Sequence, residues 1–165
     1  MTDINFFIRD VSCGDLEAVR LLNNVAVPHV NSLPHDEFDR FRQVAAYFRV
    51  ASNDKDILGF LVGFLPDADY ASENYRWFQA RHDEFIYIDR IVVAPAASGQ
   101  GIARALYQDL QGNMDGRARK MACEVNIRPA NERSARLHHR LGFIEVGQQE
   151  TGGGSKLVSL LLKPL

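Results

Sequence analysis

Phe85–Leu110 reads FIYIDRIVVAPAASGQGIARALYQDL. Its first nine residues, Phe85 to Val93, are dominated by β-branched and aromatic side chains, the signature of a buried strand. Its last ten, Gly101 to Leu110, place Ile102, Ala105, Leu106 and Leu110 on one stripe of a helix. Between them lie Pro95 and the run Ser98-Gly99-Gln100-Gly101. A strand that passes through a glycine turn into a helix brings unpaired backbone amides, and the positive end of the helix dipole, to one point. Glycine lets a ligand approach that backbone closely, so the junction suits a phosphate; a turn that merely joins strand to helix uses the same residues.

Working outward, Lys120 to Ile127 is expected to be a strand and Asn131 to Leu141 a helix. Strands follow at Phe143 to Val146 and Lys156 to Leu162, separated by the turn Gly152-Gly153-Gly154. Upstream, Asn5 to Arg9 reads as a strand and Asp15 to Leu22 as a helix. Pro34 to Tyr47 reads as a second helix, with Phe38, Phe41, Val44 and Ala45 on one face. Phe48 to Ala51 and Ile57 to Leu65 form a hairpin around the polar turn SNDKD. A helical turn is expected at Ser72 to Ala80, inside the polar and aromatic connection Pro66 to Asp83. The resulting order, β-α-α-β-β-β-α-β-α-β-β, implies an α/β (α+β) fold with a mixed sheet and helices on both faces. Its 165 residues are expected to make a single domain, 1–165.

Composition narrows the function by exclusion. Nineteen Lys and Arg against 21 Asp and Glu leave a formal net charge of -2, so no global basic field draws nucleic acid or an anionic membrane. With 46% apolar and 24% charged residues, the composition is that of a globular protein. Cys13 and Cys123 are far apart and lack metal-site spacing, so neither a disulfide framework nor a metal is expected. The start MTDINFFIRD carries no signal-peptide pattern, and a cytoplasmic location is the expectation.

Two phosphate motifs fail. A P-loop needs Gly-Lys-Ser/Thr, whereas Gly101 is followed by Ile102-Ala103, and a dinucleotide fingerprint needs a glycine where Arg104 stands. A third pattern matches. The run I-V-V-x-P-x-x-S-G-Q-G-I-A (91–103), followed after a strand by N-E-R-S-A-R-L-H-H-R-L-G-F (131–143), resembles the GNAT superfamily of N-acetyltransferases. That family's motifs are Q/R-x-x-G-x-G/A and N-x-x-A-x-x-L-Y-x-x-x-G-F. Ser98 departs from the usual Arg or Gln; Gly99, Gln100, Gly101 and Ala103 keep the rest.

The resemblance implies a mostly antiparallel central sheet of about seven strands and acetyl-coenzyme A as co-substrate, with no metal. The amides of Gly99, Gln100, Gly101, Ile102, Ala103 and Arg104 would cradle its pyrophosphate. The backbone of Ile91, Val92 and Val93 would pair with the pantetheine arm and offer an N–H to the oxyanion, while Asn131 would hold the pantetheine end. Arg104, Arg133, Arg136 and Arg140 could neutralise remaining phosphate charge or simply form a solvated helix face.

Acetyl transfer to an amine needs a base, because a lysine-type amine has a pKa near ~10.4. Asp89 shares strand parity with Ile91 and Val93 and matches a position that often carries an acid in the family. Glu124, in CEVN, matches L-E-V-x, whose Glu is the base of the ribosomal-protein acetyltransferases, although the interval from Glu124 to Asn131 is longer here. The competing reading for Asp89 is a polar residue paired with Arg90's neighbours or with solvent, and for Glu124 it is structural ion pairing. His138 stands where the family has a proton-donating Tyr, on the same helical stripe as Asn131; it could donate when protonated, or fill the slot with water as donor. His139 should point to the surface. Around the acceptor side the resemblance places Asp67, Asp69, Glu73, Tyr70, Tyr75 and Trp77, with His29, Asn31, His35 and Asp36 from the early segment.

The implied function is N-acetylation of a primary amine on a small molecule, peptide or protein. The alternatives are another acyl-coenzyme A donor on the same scaffold, or a non-catalytic coenzyme A-binding module. No nucleic-acid or membrane partner is expected, and a homodimer is left open.

Overall fold

A computed structural model describes residues 5–165. In chain order its strands and helices are β1 (Phe7–Asp10), α1 (Leu16–Val25), α2 (His35–Val44), β2 (Tyr47–Ser52), β3 (Ile57–Phe64), α3 (Glu73–Gln79), β4 (Phe85–Val93), α4 (Ile102–Asn113), β5 (Lys120–Arg128), α5 (Glu132–Arg140), β6 (Ile144–Thr151) and β7 (Lys156–Pro164). The strands follow one another in the order β1-β2-β3-β4-β5-β7-β6. Pairs β1–β2, β2–β3, β5–β7 and β6–β7 run antiparallel, and β4–β5 runs parallel. The expected mixed, mostly antiparallel seven-stranded sheet is therefore present.

The chain forms two compact units. One takes in residues to Phe64 with Asp89–Asn113; the other takes in Leu65–Ile88 with Met114–Leu165. The first is built on α1 and α2, whose periodic apolar residues Leu16, Val19, Phe38 and Phe41 are buried. Phe38 meets Phe41 and Phe60 edge-on, with ring centroids 6.1 and 6.2 Å apart, and Phe41 meets Phe64 at 5.2 Å. Such pairs add about 0.5–1.5 kcal/mol each beyond the area they bury.

In this unit the expected boundaries shift where tertiary partners compete with local pattern. The second helix stops at Val44 instead of continuing to Tyr47: Ala45 is extended, Ala46 donates its N–H to Gly63 O, and Tyr47 opens β2. The first strand lies at Phe7–Asp10, later than expected, because it registers against Ser52–Arg49 of β2. The β2–β3 hairpin forms as expected, with Asn53 Oδ1 accepting the N–H groups of Lys55 and Asp56.

In the second unit α3 starts where expected, capped by Ser72, whose Oγ accepts the N–H of Tyr75 at 3.0 Å. The strand expected at Phe143 to Val146 instead begins at Ile144 and continues to Thr151, paired along β7. Its distal half, Gly147-Gln148-Gln149-Glu150, is too polar for periodicity to reveal; main-chain pairing, which is indifferent to side chain, extends it.

Candidate active site

Within the first unit, burial alternates from Asp89 onward. Arg90 and Val92 are buried, while Ile91 and Val93 keep partial exposure on the other face, as their parity requires. Asp89 is not left to solvent: its Oδ2 accepts from Arg90 Nε at 2.7 Å, and both side chains are nearly fully buried. The Arg90 guanidinium also donates to Asn23 Oδ1 (3.0 Å), Asn31 O (3.2 Å) and Asn31 Oδ1 (3.0 Å), and lies over the rings of Phe38 and Phe41. The fork thereby ties α1 and the connection carrying Asn31 to β4. Losing one member of such a buried pair leaves an uncompensated charge, at about 3–5 kcal/mol. Asp89 is thus paired with Arg90 itself, where the sequence reading offered Arg90's neighbours or solvent as its partners.

Beyond β4 the chain turns at Pro95–Ala97 and enters the glycine run. Gly99 (φ +79°) and Gly101 (φ +78°) are both left-handed, a conformation only glycine adopts without strain. A Cβ built at either position would meet no atom within 4 Å, so both face open space. Gly101 O accepts the first helical bond, from Ala105 N at 2.9 Å, which leaves the amides of Ile102, Ala103 and Arg104 without an intrahelical acceptor. Ile102, Leu106 and Leu110 are buried beneath, and Tyr47 Oη donates to Asp109 Oδ2 (2.7 Å) while Arg49 Nη1 reaches the same carboxylate (3.2 Å). The helix is held from below and its amino end stays open, a fit for pyrophosphate.

In the second unit, β4 and β5 pair with Tyr87 beside Ala122, which puts the Tyr87 hydroxyl against Glu124 at 2.7 and 2.9 Å from its two carboxylate oxygens. Tyr87 is fully buried and packs against Tyr70, Tyr75 and Phe78. Tyr87 carries the same strand parity as Asp89, a signal that sequence reading could have followed upstream and did not. Glu124 keeps partial exposure.

Asn131 caps α5, its Oδ1 accepting Ser134 N at 3.2 Å, a structural duty that the sequence reading did not assign. His138 lies on the expected stripe but is buried, with 2% of its surface exposed. Its Nδ1 is 2.8 Å from Ser134 O, and a carbonyl only accepts, so Nδ1 carries the proton. The ring meets Phe143 edge-on at 5.1 Å. Burial holds the imidazole pKa below its usual 6.5, with the carbonyl bond opposing, so at neutral pH the ring is uncharged. His139 is exposed, as expected.

The sign of that shift makes a prediction. Below about pH 6.5 the unfolded chain takes up a proton at this position that the folded chain resists, so stability is full above that pH and falls as pH drops. Urea unfolding of the protein and of His138→Gln at about pH 7.5 and about pH 5 should show the variant losing less stability between the two. An equal loss would show that His138 remains protonatable in the fold.

A strand end leading into a glycine-opened helix amino terminus can receive a phosphorylated carrier. Residues 17–143 match the model of the acetyltransferase (GNAT) family, and the chain belongs to that family. It is an acyltransferase, an acetyl-CoA-dependent N-acetyltransferase. Similar solved structures include yncA of Salmonella typhimurium with its cofactor acetyl-CoA (20% identity, 97% of this chain and 94% of that chain, TM-score 0.71). Ard1 of Thermoplasma volcanium (16%, 98% and 99%, 0.78) and the ribosomal-protein-alanine N-acetyltransferase of Brucella melitensis (18%, 96% and 99%, 0.72) share the fold as well. No curated protein matches the chain. Among the described residues no helix is long and apolar enough to cross a membrane, and no group of three His, Cys, Asp or Glu could hold a metal.

Proposed function

We propose that the chain, working as one catalytic domain over 1–165, transfers the acetyl group of acetyl-CoA to a primary amine of a small molecule, peptide or protein. The observation that carries this reading is the pair of left-handed glycines, Gly99 and Gly101, facing open space before the amides of Ile102, Ala103 and Arg104. These amides, with those of Gly99, Gln100 and Gly101, take the pyrophosphate. The backbone of Ile91, Val92 and Val93 pairs with the pantetheine arm and supplies the N–H that stabilises the oxyanion. Asn131 holds the pantetheine end through the side-chain amide that its capping oxygen leaves available as donor.

Glu124 is the base: its carboxylate takes one proton from the acceptor ammonium, and the neutral amine then attacks the thioester carbonyl. The Tyr87 hydroxyl holds that carboxylate in place. Asp89 is a positioning residue through Arg90 rather than a second base. With His138 uncharged at neutral pH, water takes the second proton that the attacking nitrogen loses on forming the amide and gives one to the departing thiolate, while Glu124 releases the first to solvent.

The test is calorimetry with acetyl-CoA, followed by a thiol-release assay over a panel of primary amines and peptides. Acetyl-CoA binding, with thiol release that depends on one class of amine, is the expected result. Absence of acetyl-CoA binding overturns the reading. Tight acetyl-CoA binding with no release on any amine of the panel overturns the choice of a primary amine as acceptor.

A further inference from the structure

Gly59, in β3, is a glycine of a different kind from those of the cradle. It is buried, and its φ lies outside the left-handed range, so nothing about the backbone demands glycine. What demands it is space. A Cβ there would lie 2.9 Å from Val92 O, 3.1 Å from Ile102 Cγ2 and 3.4 Å from Val93 Cγ2. Those three groups belong to the end of β4 and to the first residue of α4. Immediately next to this point Ala94 donates its N–H to Leu58 O at 2.8 Å, which pins the chain as it leaves β4. The missing side chain of Gly59 is therefore where strand end and helix start close upon each other.

We propose that Gly59 is a positioning residue for acetyl-CoA: it sets the distance between the strand end that pairs with the pantetheine arm and the helix start that takes the pyrophosphate. The inference rests on the coenzyme reading of those two segments. A methyl group at residue 59 meets a backbone carbonyl, which cannot swing aside as the end of a flexible side chain can, and a branched Ile side chain packed in the core. Strand end and helix start are pushed apart, and a ligand that must touch both no longer fits. A ligand that touches only the helix start moves with it and binds as before.

Calorimetry on Gly59→Ala with two ligands tests this. Acetyl-CoA engages both segments; 3′-phosphoadenosine 5′-diphosphate carries the pyrophosphate and no pantetheine. Acetyl-CoA affinity is expected to fall by about 10-fold or more while that of the nucleotide changes by less than about 2-fold. In steady state the KM for acetyl-CoA should rise with a smaller change in kcat. Ile102→Leu removes the Cγ2 branch at nearly constant volume, so Gly59→Ala/Ile102→Leu should recover part of the loss; the carbonyl contact remains. Should Gly59→Ala fail to fold, the two ligands are compared in the double variant against Ile102→Leu alone. Unchanged acetyl-CoA affinity, or an equal loss for both ligands, overturns the proposal while leaving the coenzyme site standing. A wild-type protein that binds neither ligand overturns the coenzyme reading itself.

Discussion

Replacing Gly101 by valine is expected to weaken acetyl-CoA binding by more than about 100-fold, equivalent to about 2.7 kcal/mol, while the protein stays folded. The two effects separate because the geometry separates them. Gly101 sits at φ +78°, so a β-branched residue there is strained, at a cost of order 1–3 kcal/mol. Yet a Cβ at this position meets no protein atom within 4 Å, so no core contact is disturbed. The strain should lower Tm by several degrees and no more. The side chain instead enters open space at the start of the helix whose amides are proposed to take the phosphate. Calorimetry and a thermal melt on one sample read both quantities. Unchanged affinity would show that the ligand does not use this helix start; a cooperative melt lost altogether would show that the turn is structural first.

Glu124→Gln is expected to lower kcat by about 10²- to 10⁴-fold, the range that removal of a general base produces. The amide is nearly isosteric, and its oxygen still accepts from the Tyr87 hydroxyl that now lies 2.7 and 2.9 Å from the two carboxylate oxygens. Fold, melting temperature and the KM for acetyl-CoA should therefore stay close to wild type, which places the loss on proton transfer. Tyr87→Phe leaves the carboxylate and removes its anchor, so its loss in kcat should be smaller. Steady-state thiol release with an acceptor found in the amine panel measures all three proteins. A Glu124→Gln enzyme that keeps full kcat would remove Glu124 from the chemistry and return it to the ion-pair and hydrogen-bond role that is its structural alternative.

The elements that could be read from sequence are those whose causes lie within a few residues. Phe85–Val93 is a strand over the expected residues because apolar, aromatic and β-branched side chains hold every position but Asp89 and Arg90. Ser72 and Asn131 start α3 and α5 because each side-chain oxygen caps an amide three residues on. The glycine turn and the two motifs flanking it were legible too, and with them the family, because a phosphate cradle is a local object made of consecutive amides.

What only the tertiary structure decided depends on the surroundings the fold builds, often from residues far apart in the chain. Tyr87 and Glu124 are 37 positions apart, and Arg90 and Asn23 are 67 apart; no periodicity announces either pairing. Asp89 could be placed on a face by parity, but only the fold shows its carboxylate engaged by Arg90. His138 could be placed on a stripe, but its uncharged state follows from burial, against the opposing bond to the Ser134 carbonyl. Gly59 reads as a weak point in a strand until Val92 and Ile102 are seen to close over it. Caps, turns and periods act within one or two helical turns of chain. Partnership, protonation and crowding are set by whatever the fold brings within a few ångströms, and sequence order alone does not carry that information.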